Sequence, residues 1–501
     1  MIQPRKIFSA TSCVALMSVL WGSAALADEL GDLKAQSEKL QQQNQELLKR
    51  IDQIEQREQK LEAQQPASQP AAAAANTPSL PAADGSLTWH GITLYGDIDL
   101  GVTYQNHGTP LNSDYGPGLE YLVSKNTNHS LVTFAPNALS YSTLGLKGTE
   151  EIIPGLSAIF NLQSTFVPTS GSISDGPKSL VENNGVPLNR QTSNGDSSRA
   201  GQPFNGAAYL GLSSPRYGTI TFGRQNSLTL DGVIAYDPQG ASNAFSVIGY
   251  QGSTAGTGDT EDSRLDNSLK YYLNFGPAHV GALYQFGGGS DARSAYQFDL
   301  GGNYDGFSVD AVYSQIYDAI SASSLSAAQL AMPGIPANSL AATVSDNTSW
   351  MLLAGYAIGR LKLLAGFEHI QFDNPKNPLA AGSTTIGGYE LSIVNNAAFN
   401  NNKMLDVYWT GAKYAATEDL DLSLGLYHEY QNSFHGDGCS TNAFSSCSGT
   451  LDAISLVGVY KLTKRFDIYA GAMYSWVSDG LENGFFHSSS IDPTIGARLK
   501  F

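Results

Sequence analysis

The run Phe466-Asp-Ile-Tyr-Ala-Gly-Ala-Met-Tyr-Ser-Trp476, followed by the terminal Thr494-Ile-Gly-Ala-Arg-Leu-Lys-Phe501, decides the fold. In the first run Phe466, Ile468, Ala470, Ala472, Tyr474 and Trp476 share one parity, and Asp467, Gly471 and Ser475 take the other. In the second, Ile495, Ala497, Leu499 and Phe501 oppose Thr494, Gly496, Arg498 and Lys500. Successive side chains of a strand point to opposite faces, so each run has one oily face and one wet face. Aromatics at both ends of an apolar stripe, with small residues between them, suit a strand that faces lipid. One such strand leaves an open hydrogen-bonding edge, so the pattern has to recur.

It does recur. Alternating runs occupy residues 94–104, 141–148, 156–164, 207–213, 218–224, 267–273, 279–286, 296–304, 307–317, 350–358, 361–372, 405–414, 420–430 and 451–460, and with 466–477 and 494–501 they make sixteen. Short connections (151–155, 214–217, 274–278, 305–306, 359–360, 415–419, 461–465) interleave with long ones (105–140, 165–206, 225–266, 318–349, 373–404). Short turns on one side of a membrane and long loops on the other are the pattern of an outer-membrane barrel. The predicted fold is therefore all-β, a 16-stranded antiparallel transmembrane β-barrel with a water-filled lumen, closed by pairing 494–501 with 94–104.

The totals agree with this. The chain has 501 residues, 52 Gly, 25 Tyr and 15% charged residues. No stretch after the first thirty residues supplies the roughly 18 apolar residues that a membrane helix requires, so any span must be built from strands. A formal net charge of -17 without a basic cluster argues against nucleic acid as a partner.

Residues 1–27 have a basic start (Arg5, Lys6), an apolar stretch over 14–21 and a small-residue end, Ser23-Ala-Ala-Leu-Ala27, which together read as a secretory signal. Residues 28–63 change period. Leu30, Leu33, Ser37, Leu40, Asn44, Leu47, Ile51, Ile54, Glu58 and Leu61 form a heptad seam, the mark of a self-associating coiled coil. Residues 64–88 are rich in Pro, Ala, Ser and Thr and read as an extended linker before the barrel at 89–501. An even strand count would leave both ends of the barrel, and hence the coil, in the periplasm.

The chain resembles the Gram-negative porins of the neisserial and proteobacterial type. The likeness rests on Leu94-Tyr-Gly-Asp-Ile-Asp-Leu-Gly-Val102, Leu144-Gly-Leu-Lys-Gly-Thr-Glu-Glu151, Tyr217-Gly-Thr-Ile-Thr-Phe-Gly-Arg-Gln225, Asp266-Asn-Ser-Leu-Lys-Tyr271, Lys461-Leu-Thr-Lys-Arg-Phe-Asp-Ile-Tyr469 and the terminal Phe501. The resemblance implies a homotrimer in contact with outer-membrane lipid and lipopolysaccharide, and a terminal Phe501 read by the outer-membrane assembly machinery. The N-terminal helix resembles the periplasmic extensions of some substrate-selective porins. It could clamp three barrels together or act as a spacer toward peptidoglycan.

The resemblance also implies that the long loop after Phe222-Gly-Arg-Gln225 folds into the lumen against basic wall residues. That loop carries Asp231, Asp237, Asp259, Glu261 and Asp262 against Arg264, an excess of acid expected to draw cations. The last three acids would serve equally well to keep the loop solvated. Parity places Lys147, Lys270, Arg498 and Lys500 in the lumen with Asp97, Asp99, Asp299, Asp310, Asp406, Asp421 and Asp467. Burying a charge against lipid costs about 2–4 kcal/mol at the midplane, which favours the inward assignment. Lys147 and Lys270, at mid-barrel depth, are the expected basic wall. Arg224 shares parity with the outward Ile220 and Phe222, so it reaches the pore only where the strand bends.

Cys439 and Cys447 lie in one long loop, where a stapling disulfide is expected in an exported protein; free thiols or a metal pair are poorer alternatives. The sequence contains no HExxH, phosphate-binding Gly-rich loop or Gly-x-Ser-x-Gly elbow. The expected function is a passive channel for small hydrophilic solutes, with a substrate-selective channel as the alternative. No enzyme activity, cofactor or metal is expected.

Overall fold

The structure is a computed structural model. It describes Lys49 and residues 87–501, apart from 115–128, 174, 195–201, 249–263, 289–293, 381, 383–389, 437–438, 440–444 and 482–486. The signal segment, the coiled coil, most of the linker, and Asp259, Glu261 and Asp262 lie outside the described residues. By contact the chain divides into residues 1–77 and Pro78–Phe501, and the second unit is the barrel.

The strands in chain order are β1 (Leu87–Trp89), β2 (Ile92–Gln105), β3 (Leu131–Pro136), β4 (Thr143–Ile153), β5 (Leu156–Thr165) and β6 (Ala207–Ser214). Next come β7 (Gly218–Asn226), β8 (Arg264–Phe275), β9 (Ala278–Gln285), β10 (Ser294–Tyr304), β11 (Phe307–Ser323), β12 (Leu340–Ile358) and β13 (Leu361–Asp373). The last are β14 (Leu391–Asn395), β15 (Lys403–Ala415), β16 (Leu420–Gln431), β17 (Gly449–Lys461), β18 (Phe466–Asp479) and β19 (Ser489–Lys500). They form one 19-stranded sheet. Setting aside the short β1, β3 and β14 leaves the sixteen expected barrel strands, each paired antiparallel to the next. Closure is as expected, with β19 antiparallel to β2 from Thr494↔Thr103 to Lys500↔Asp97.

The three short strands were not foreseen. β1 begins ahead of the expected barrel boundary and folds back on β2, pairing Leu87 with Leu94 through the His90-Gly91 turn. β3 pairs with the upper half of β2 (Leu100↔Pro136) and β4 with the lower half (Ile92↔Gly148), so two pieces share one place in the wall. The break between them, at Asn137 with φ 59°, turns inward. β14 runs parallel to the extended end of β12. Beyond the apolar band neither face of a strand meets lipid, so pairing continues from Ala319↔Ser345 to Ser323↔Ala341 with no oily stripe to betray it.

The outer face follows the expected parity: Ile468, Tyr474 and Trp476 of β18 and Ile491, Ile495 and Leu499 of β19 are exposed. Tyr217, Tyr304, Phe307, Tyr356, Tyr414 and Tyr460 lie next to the short turns as one exposed aromatic row. Asp406 departs from its expected place in the lumen. In β15 the inward parity belongs to Leu405, Val407 and Trp409, all buried, while Asp406 sits among the exposed Met404 and Tyr408. It survives there by pairing with His369 Nδ1 at 2.6 Å. His428 Nδ1 and Asp452, also at 2.6 Å, form a second outer pair. Trp350, Phe367 and Tyr408 stack around these pairs, and at such a girdle the cost of a polar group falls well below its midplane value.

Candidate functional site: the constriction loop and its basic vestibule

The loop after β7 crosses the lumen and is welded to the wall at several points. It opens with Ser227, whose side chain accepts a hydrogen bond from the Leu230 N–H at 3.0 Å and caps the helix Leu228–Tyr236. The Leu228 N–H donates to Gln297 Oε1 of β10 at 2.7 Å, which ties the helix start to the wall. Gly232 allows the close approach, since a Cβ there would lie 2.8 Å from Leu353 Cδ1. At the helix end, Trp409 Nε1 donates to the Tyr236 carbonyl at 3.2 Å.

Two buried aspartates finish the attachment. Asp237, fully buried, accepts from the Tyr427 hydroxyl (2.7 Å), the Gln239 N–H (3.1 Å) and the Ala241 N–H (2.7 Å). Burial pushes its carboxyl above the ordinary range, against the lowering effect of those hydrogen bonds. Asp99, also fully buried, accepts from the Leu139 N–H (3.0 Å), the Ser140 N–H (2.7 Å) and the Tyr469 hydroxyl (2.5 Å). It thereby holds the inward break between β3 and β4, and that break holds the loop. Asn243 Nδ2 donates to the Asn137 carbonyl at 2.8 Å and the Ala244 N–H to the Ala138 carbonyl at 2.9 Å. Phe245 meets Tyr469 edge-on at 6.3 Å.

The expected site residues therefore separate by role. Lys270 and Asp231 come together as wall and loop partners in a direct ion pair, and Lys270 Nζ also donates to the Asn226 carbonyl at 3.1 Å. Asp237 and Asp99 are anchors with no face on the water path. Asp97 lies beside Lys500 across the β2–β19 seam. Arg224 sits at a bulge between Gly223 and Gln225, so the strand does bend there. Its side chain is 7% exposed and binds Asp266 (2.6 Å) and the Asn205 carbonyl (2.7 Å), which makes it part of the wall's top. Lys147 faces the lumen with Nζ 5.0 Å above the Tyr95 ring. It stands opposite Thr93 at the start of β2, nearer the short-turn end than expected, because β3 occupies the upper half of that position. Cys439 and Cys447 are joined, with a Cα–Cα distance of 5.8 Å. Phe501 extends the closing seam through reciprocal 3.0 Å backbone bonds with Gly96.

Beneath the loop, toward the short-turn end, a cavity of about 540 Å³ opens against Pro238, Gln239 and Gly240. Arg360, Lys362, Lys413, Lys461, Arg498 and Lys500 line it, against Asp421 and Asp467. Lys461 pairs with Asp421 at 2.7 Å, and Arg498 and Lys500 share Asp467 at 2.7 and 2.9 Å. Six lining cations against these two acids, and against Asp97 beside Lys500, leave three net positive charges. Arg360, Lys362, Lys413 and Lys461 were missed in the sequence although their signal was present: each lies at or within a few residues of a short turn, on neighbouring strands.

A closed sixteen-stranded antiparallel cylinder with an oily exterior and a loop folded through its lumen defines a pore-forming β-barrel of the outer membrane. Residues 67–480 match the Gram-negative porin family, and the chain belongs to that family. It is 29% identical over 196 residues, 39% of its length, to an outer membrane porin protein of Bordetella pertussis. It is 26% identical over 209 residues, 41% of its length, to outer membrane porin protein 32 of Delftia acidovorans. The chain spans less than half the length of these curated relatives, 41% and 47%. In fold it is similar to an anion-selective porin from Comamonas acidovorans, with TM-score 0.52 and 18% identity, over 82% of this chain and 99% of that one.

Proposed function

We propose that the chain forms a water-filled outer-membrane channel for passive diffusion of small hydrophilic solutes, biased toward anions by the basic vestibule under the loop. The carrying observation is the charge inventory. Among the described residues, the two loop acids expected to draw cations are spent: Asp237 is buried as an anchor, and Asp231 is paired with Lys270. The vestibule keeps three net positive charges with Asp97 counted. Three charges at about 8 Å in water contribute about 1.6 kcal/mol to an anion, roughly halved by screening at 0.1 M salt, which amounts to about fourfold enrichment.

Reversal potentials across planar bilayers under a potassium chloride gradient test this. Chloride preference is expected, and it should weaken in Lys362→Gln/Lys413→Gln; a potassium preference in the wild type refutes the assignment. The alternative, a substrate-selective channel, would show as a saturable current block by one solute class. The channel acts as a homotrimer with its outer face in lipid and lipopolysaccharide. The N-terminal coil serves as a trimer clamp or a spacer toward peptidoglycan. Cross-linking a chain that lacks residues 28–84 separates the two, because loss of the trimer identifies the clamp.

A further inference from the structure

On the wall behind the constriction helix, three neighbouring strands bring a histidine and two carboxylates together. The register aligns His279, Gly301 and Asp310 in one row across β9, β10 and β11, with Asp299 two residues along β10. All face the lumen, opposite the exposed Phe298, Leu300 and Val309. His279 Nε2 lies 2.5 Å from Asp310 Oδ1 and 3.4 Å from Asp299 Oδ2, and one donor atom from each residue falls within 4.8 Å of the others. We propose that His279, Asp299 and Asp310 bind a divalent transition metal ion of the zinc class inside the pore.

Four further observations support the site. It opens on a cavity of about 270 Å³ that can hold the waters completing a coordination sphere. Asp299 Oδ1 is buried with no hydrogen-bond partner, which leaves that carboxylate with unused acceptor capacity. The space between the donors depends on Gly301, because a Cβ there would lie 1.5 Å from Asp310 Oδ1 and 2.6 Å from His279 Nε2. The ligands are also supported from behind. Tyr272 stacks on the His279 ring at 5.2 Å, and Tyr236 of the constriction helix hydrogen-bonds Asp310.

An ion pair alone accounts poorly for this arrangement. A protonated imidazole would still leave one negative charge over; Lys270 from β8 is engaged with Asp231, and Lys362 from β13, which lines the same cavity, makes no ion pair with either carboxylate. Bonds of about 2.1 Å place tetrahedral donors about 3.4 Å apart. The histidine and Asp299 already match that spacing, and Asp310 needs to withdraw by about 1 Å. Imidazole with two carboxylates suits zinc and its neighbours, whereas calcium would require six to eight oxygen ligands.

The test uses the full chain refolded in detergent, with zinc chloride and cobalt chloride as probes. The wild type is expected to retain about one zinc per chain after dialysis, and to give cobalt ligand-field bands of a low-coordinate nitrogen–oxygen site. His279→Asn and Asp310→Asn should each weaken zinc binding by more than about a hundredfold, since even outer-shell changes cost up to that much. Gly301→Ala should block binding with every ligand residue still present. Equal zinc retention in His279→Asn and wild type would overturn the proposal, as would a wild type that takes up no zinc or gives only a six-coordinate cobalt spectrum. The cobalt spectrum is read on the wild type, so it decides the matter even where a variant fails to refold.

Discussion

If the constriction loop is held by buried hydrogen bonds to Asp237, loosening them should make the channel noisy before it makes it unstable. Tyr427→Phe removes one hydroxyl donor at 2.7 Å and leaves the ring in place. A hydrogen bond to a charged group contributes about 1.5–3 kcal/mol, so the equilibrium between docked and undocked loop should shift by about 10- to 150-fold. Asp237→Ala goes further, stranding the Tyr427 hydroxyl and the Gln239 and Ala241 amides in a buried site. At about 1–3 kcal/mol for each orphaned donor, the loss exceeds the relief of no longer burying a carboxyl, and a net cost of about 3 kcal/mol is expected. Single-channel recording in planar bilayers reads the outcome as raised open-channel noise in Tyr427→Phe and a larger, unsteady conductance in Asp237→Ala. Barrel melting should move far less, because the strand ladder is untouched. If both variants gave wild-type conductance and noise, the loop would have to be held by its apolar contacts alone, and Asp237 would not be an anchor.

The same carboxyl predicts a pH effect. Because folding raises the Asp237 pKa, the folded channel holds that proton more tightly than the unfolded chain. Its contribution to stability is full below the ordinary carboxylate value of about 3.9 and is lost as pH rises through the raised folded value. The difference in open-channel noise between wild type and Asp237→Asn should therefore change across the acidic range; a constant difference would refute the assignment. Deleting Phe501 removes its two backbone bonds to Gly96 at the closing seam, so the yield of assembled barrel should fall while assembled channels keep wild-type conductance. Cys439→Ser/Cys447→Ser opens a short loop whose closure contributes about 2.5 kcal/mol, so local proteolysis of that loop should accelerate with no change in ion selectivity.

The barrel was legible because lipid on one face and water on the other impose a period of two on every spanning strand. All sixteen runs reappear as strands, and the seam from Thr494 to Lys500 against Thr103 to Asp97 follows from the need to leave no edge. Parity failed at Asp406, because the apolar Leu405, Val407 and Trp409 on either side of it take the inward face of β15. It said little about depth. Lys147 lies low because β3 and β4 share one place in the wall, and neither piece shows in the alternation that the other sits above or below it.

Alternation along single strands, set by the membrane, determined the fold class, the strand number, the closing seam and which face of most strands meets water. The tertiary structure decided what each charge does. Asp99 and Asp237 became anchors because the loop lies on them, and Asp231 lost its field to Lys270. Arg360, Lys413 and Lys500 became one vestibule, and His279, Asp299 and Asp310 one cluster, because the stagger of neighbouring strands brings them level. Charge and coordination depend on distances between strands far apart in the chain. A periodic pattern within each strand fixes direction, and only the register between strands and the path of the loop fix distance.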